Sequence, residues 1–155
     1  MRSTIDRLAF VAVLLLISAT AAASDYPLSE ILPAEASGKL SKAGIQHTGD
    51  LLQKAARRAD RKKLAKTSGL AAKQLTAWVK MADLLRIKGL GPLMAKFLSA
   101  AKIDAIAKLR RQKAAPLYKR LMKLNEKDKL SDNPPSEAHL ADWIAQAKKL
   151  KVVVR

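Results

Sequence analysis

Ala71, Leu75, Trp78, Ala82 and Leu85 recur at steps of four, three, four and three. They draw one apolar stripe along a helix whose polar side carries Lys73 and Lys80. The stripe runs on into Leu84 and Ile87, breaks at Gly89-Leu90-Gly91, and resumes with Leu93, Phe97 and Leu98. That pattern predicts a helix, a tight reversal, and a second helix over 92–101. Upstream, Leu28, Ile31, Leu32, Ala36 and Leu40 predict helical turns running to Ala43, with Gly44 as the stop. Thr48 reads as the cap of a helix carrying Leu51, Leu52 and Ala55, and Asp60 as the cap of a short basic helix closed by Gly69. Downstream, one helix begins at Asp104 with Ile106 and Leu109, and another spans 115–124 with Leu117, Leu121 and Leu124 on one face. Asn133-Pro134-Pro135 breaks any helix, and Ser136 then caps a last one that turns Leu140, Trp143, Ile144, Ala147 and Leu150 inward. No sustained alternation of period two appears before the extended tail at 152–154. The fold class predicted is all-α, a compact bundle of short helices.

The reversal at Gly89-Leu90-Gly91 carries the most chemistry. Two glycines permit backbone angles that other residues avoid, and Leu90 between them can plug inward. Pro92 suits the first turn of the helix that follows. A reversal of this kind leaves backbone N–H groups open at a helix N-terminus, where a phosphate oxygen can dock, and Lys88 and Lys96 bracket it with positive charge. It resembles the helix-hairpin-helix motif, whose usual role is sequence-independent binding of the DNA backbone. Lys88, Gly89, Leu90, Gly91 and Lys96 are therefore the candidate phosphate-binding residues. An internal repeat accompanies them. Leu40-Ser41-Lys42-Ala43-Gly44-Ile45-Gln46-His47-Thr48 and Leu98-Ser99-Ala100-Ala101-Lys102-Ile103-Asp104-Ala105-Ile106 occupy equivalent places after a helix, each followed by another helix and a basic segment.

Residues 1–23 read as a cleavable signal peptide: Arg2 and Arg7, an apolar run from Leu8 to Ile17, then a small-residue exit ending at Ala23. This predicts an exported protein, periplasmic or secreted. The apolar run is shorter than the roughly 20 residues a membrane-spanning helix needs. The remaining 24–155 are expected to form a single helical domain. A degenerate first unit occupies 28–69 and a second 70–124; a linker at 125–135 leads to a C-terminal helix at 136–150.

Composition narrows the function classes. The net charge is +17, of which Arg2 and Arg7 less Asp6 contribute +1, leaving +16 for the mature part. Such a balance suits nucleic acid, acidic lipid or acidic polysaccharide. The absence of cysteine excludes disulfides, thiolate metal sites and thiol catalysis, and two histidines are too few for an all-histidine metal site. No nucleophile–base set appears, so no catalytic residue, metal, cofactor or small-molecule substrate is expected. Basic residues gather in two groups, represented by Arg57, Arg58, Arg61 and Lys62 and by Arg110 and Arg111, spaced so that several align on helix faces. Few aromatics accompany them, which disfavours base stacking onto single strands. Trp78 and Trp143 lie on apolar stripes and are expected in the core.

Trp78-Val79-Lys80-Met81-Ala82-Asp83-Leu84-Leu85-Arg86-Ile87-Lys88-Gly89-Leu90-Gly91 resembles the central signature of an uncharacterised bacterial family, a domain of unknown function with tandem helix-hairpin-helix motifs. The resemblance continues through Leu121-Met122-Lys123-Leu124-Asn125-Glu126-Lys127-Asp128-Lys129-Leu130, and resumes at Pro134-Pro135-Ser136 and Asp142-Trp143-Ile144-Ala145-Gln146-Ala147-Lys148. It implies an all-helical hairpin fold and no demonstrated activity. Family members often carry a glycine pair in the first hairpin too. Here 29–38 has no glycine-flanked turn, so the first unit is expected to play a structural role and phosphate contact is expected at the second unit alone. The expected function is non-specific binding of duplex DNA or another polyanion through its phosphates. The alternative is a protein-interaction or scaffolding module of the cell envelope, and attachment to an anionic envelope surface is a weaker third reading.

Overall fold

Apolar residues three and four apart, punctuated by glycine and proline, produce short helices that must share one core to be stable. The computed structural model describes residues 25–154, and the signal peptide read from 1–23 lies outside the described residues. Among the described residues there are nine helices and no strand: α1 (Leu28–Ile31), α2 (Ala34–Lys42), α3 (Thr48–Ala55), α4 (Arg58–Ser68), α5 (Ala72–Leu84), α6 (Pro92–Ala100), α7 (Ile106–Leu109), α8 (Ala114–Asp128) and α9 (Glu137–Lys149). The protein is all-α. One contiguous apolar cluster runs from Leu28 in α1 to Ala147 in α9. The main packing pairs are α3 on α5, α8 on α9, and α4 on both α3 and α5, while α7 also rests on α9.

The internal repeat is visible in the backbone. Helix bounds recur 58 residues apart: 34 and 92, 42 and 100, 48 and 106. Both copies end their first helix in the same way. The Ile45 N–H reaches back to the Leu40 carbonyl at 3.0 Å, and the Ile103 N–H to that of Leu98 at 2.9 Å. The residue before each isoleucine is left-handed, Gly44 at φ 71° and Lys102 at φ 64°. This six-to-one closure satisfies a carbonyl that the helix end would orphan, and it buries the following isoleucine. Leu32 and Leu90 are equivalent as well, both buried just ahead of the first-copy and second-copy helices they respectively introduce. The first unit thus follows the same path without a glycine pair.

Several boundaries differ from the sequence reading. Thr48 is the first residue of α3 and His47 its cap, because the buried Thr48 hydroxyl is spent on the N-terminal segment. It accepts from the Tyr26 N–H at 3.1 Å and donates to Asp25 Oδ1 at 3.0 Å. Asp25 Oδ1 also accepts the Gly49 N–H at 2.8 Å, so Asp25 caps α3 from outside the helix. Asp25→Ala is expected to cost about 1 kcal/mol, the usual worth of an N-cap, read as a shift of the urea midpoint. Asp60 lies within the first turn of α4, whose cap is Arg57. In α5 the buried line is Leu75, Val79, Ala82 and Leu84; Trp78 is half-buried and Ala71 exposed. Helix α8 runs on to Asp128, into the segment read as linker. There the Asn125 amide bonds both the N–H and the carbonyl of Ser131, each at 2.9 Å.

Candidate nucleic-acid interface

The α5–α6 reversal is built from the inside out. Ile87 and Leu90 are fully buried, and the Leu90 N–H closes a turn onto the Ile87 carbonyl at 3.2 Å. Gly89 stands at φ 78°, a left-handed angle that a residue with a side chain adopts only with strain. A Cβ there would lie 3.6 Å from Trp143 Nε1, so α9 approaches the reversal closely. Gly91 differs from the reading that both glycines serve the turn. Its φ of −77° and ψ of 175° suit any residue, and a Cβ would meet nothing within 4 Å.

Helix α9 also holds the reversal by hydrogen bonds. Gln146 Oε1 accepts the Lys88 N–H at 2.9 Å, and Gln146 Nε2 donates to the Lys88 carbonyl at 3.1 Å and to Asp142 Oδ2 at 2.8 Å. The peptide groups flanking Lys88 are thereby fixed. Its N–H is removed from the set of candidate phosphate donors, as is that of Leu90, whose side chain is a core plug. Gly89 and Gly91 keep N–H groups with no acceptor among the described residues. The first turn of α6 adds two donors that the sequence reading missed, Leu93 and Met94, because the glycine cap has no side chain to bond them. Lys88 and Lys96 are exposed and form no ion pair among the described residues.

Behind the reversal, Asp83 is 2% exposed and accepts from Arg86 Nη1 at 2.7 Å, while the same nitrogen reaches the Lys151 carbonyl at 3.0 Å. Burial pushes the Asp83 carboxyl above the usual aspartate range, and the Arg86 guanidinium opposes that rise.

A family described as a domain of unknown function, DUF4332, matches residues 30–150. The chain belongs to the DUF4332 family. No curated protein and no solved structure matches it. The DUF4332 match covers both the glycine reversal and the Gln146 clamp that holds it.

The basic groups of this DUF4332 chain are not equivalent. Arg61 departs from the solvent-facing role expected of it. It is 6% exposed, and its Nη1 donates to the Ala55 and Ala56 carbonyls at the end of α3. Burial lowers its pKa, and the nearby Arg58 charge adds to the effect. Arg110 is partly spent too, donating to the Lys148 carbonyl at 3.0 Å near the end of α9. Arg57, Arg58, Lys62 and Arg111 stay exposed. Lys73, absent from the predicted set, joins Arg58 and Lys62 beside α5. Among the described residues no group of three or more His, Cys, Asp or Glu gathers as a metal site would require.

Proposed function

We propose that this DUF4332 protein is an exported, non-enzymatic binder of duplex DNA, or of another polyanion with closely spaced phosphates. Its two repeated units act as helix-hairpin-helix-like elements, and it reads no sequence. The observation that carries this reading is the α5–α6 reversal. Open N–H groups at Gly89, Gly91, Leu93 and Met94 stand between two exposed, unpaired lysines, Lys88 and Lys96. Backbone donors at a helix start favour a phosphate oxygen over other acceptors, and the lysines supply charge without demanding one geometry. Arg57, Arg58, Lys62 and Arg111 extend the electrostatic footprint. Affinity is expected near 10⁻⁴ to 10⁻⁶ M, about the range of non-specific binding at physiological salt, and falls steeply as salt rises.

Gly91→Glu tests the reading. Position 91 has an ordinary backbone and open space, so the variant keeps its circular dichroism spectrum and melting temperature. Anisotropy titrations of long duplex DNA at two salt concentrations are expected to show about tenfold weaker binding, with the salt slope reduced by about 1. If the parent does not bind duplex DNA at low salt, or the folded variant binds as well as the parent, the reversal is a packing device. The protein-interaction reading then replaces this one.

A further inference from the structure

A second concentration of positive charge lies away from the glycine reversal, in a cleft of about 210 Å³ between α4 and the start of α5. Its lining is Arg58, Arg61, Lys62, Ala72, Lys73 and Thr76, with four cations and no carboxylate. Helical geometry explains the gathering. Arg58 and Lys62 are four apart on one face of α4, and Lys73 sits in the first turn of α5, whose cap residue Ala71 has no side chain to bond the open N–H groups there. The acidic residue of α4, Asp60, lies on its other side, in the neighbouring cleft with Lys54 and Lys63. Arg58, Lys62 and Lys73 form no ion pair among the described residues. Arg61 forms the floor, pinned by its bonds to the end of α3, and the Thr76 hydroxyl donates to the Ala72 carbonyl at 2.8 Å. Like charges held this close repel, and an anion between them offsets that cost.

We infer that this cleft is a binding site for a doubly charged phosphoryl group, a phosphomonoester end or a pyrophosphate. Size and charge select that ligand. The cleft is smaller than the roughly 300–1,000 Å³ typical of pockets for drug-sized molecules, and a duplex cannot enter it. A phosphodiester brings one negative charge to three open cations, whereas a monoester brings about 1.5 to 2 and a pyrophosphate more. The Arg61 floor, fixed by its bonds to the Ala55 and Ala56 carbonyls, gives the site a rigid element that scattered surface lysines lack. The inference goes beyond the hairpin reading and does not depend on it.

The test titrates the full chain with inorganic pyrophosphate, with sulfate as the comparison at matched ionic strength, followed by calorimetry and by amide NMR shifts. Pyrophosphate is expected to bind at least tenfold more tightly than sulfate, with shifts centred on Arg58, Ala72 and Lys73. The K62Q/K73Q double variant loses that binding at least tenfold, while R110Q/R111Q and Gly91→Glu retain it. Equal affinity for the two anions, shifts spread over surface lysines throughout the chain, or equal losses in K62Q/K73Q and R110Q/R111Q overturn the inference. The NMR arm uses the unmodified protein and so stands even if K62Q/K73Q fails to fold. Competition by a 5′-phosphorylated oligonucleotide against its 5′-hydroxyl twin, and by phosphatidic acid vesicles, identifies the source of the phosphoryl group. Displacement by neither leaves the free anion as the ligand.

Discussion

Leu90→Ala is expected to destabilise the protein by about 3 kcal/mol, measured by urea unfolding followed through tryptophan fluorescence. Leu90 is fully buried and is the side chain around which the α5–α6 reversal turns. Truncation forfeits the transfer energy of the removed methyl groups and leaves a cavity beneath the turn. Collapse into that cavity is opposed by the paired Gln146 bonds to Lys88, which tie the reversal to α9. The equivalent Leu32→Ala change in the first unit is expected to cost less, because Leu32 retains 6% exposure and its turn has no such clamp among the described residues. A loss below about 1 kcal/mol at Leu90 would show that the reversal can repack without its plug.

Arg86→Ala is expected to cost about 3 kcal/mol at neutral pH, with a definite dependence on pH. Removing the guanidinium strands the buried Asp83 carboxylate and deletes the bond to the Lys151 carbonyl. Asp83 already has a raised folded-state pKa through burial, and losing its cationic partner raises it further. An acid raised on folding binds more protons in the native state than in the unfolded one. Stability therefore falls as pH rises from the unfolded aspartate value through the folded one. The deficit of the variant relative to the parent is expected to be largest near pH 7 and to shrink as pH falls below the ordinary aspartate range, where the carboxyl is protonated in folded parent and variant alike. Urea curves for parent and variant at several pH values measure it. A deficit that does not change with pH would mean that Arg86 acts through packing alone.

The positions of the helices were readable because their signals are local. Gly44 and Gly69 end helices by adopting left-handed angles, and Ser136 caps α9 by accepting the His139 N–H at 3.2 Å. The repeat was readable from Leu40–Thr48 and Leu98–Ile106, since the six-residue closure that opens each segment needs the same apolar ends. Misreadings arose where a local signal had a distant competitor. Thr48 has the chemistry of a cap, but Asp25 and Tyr26 claim its hydroxyl. Trp78 falls on a helical stripe, yet Val79 takes the fully buried place.

Spacing and residue type alone determined the all-α class, the place of each reversal, the register of the repeat and the sign of the surface, because each depends on residues within about a turn of one another or on a sum of charges. Only the tertiary structure decided which groups remain available for a ligand. The Lys88 amide is spent on a glutamine 58 residues away, Arg61 is drawn inward to the carbonyls of another helix, and Lys73 is brought across to Arg58 and Lys62. A polar group's availability depends on every partner that packing brings within hydrogen-bond reach, and that geometry exists only once the core has closed.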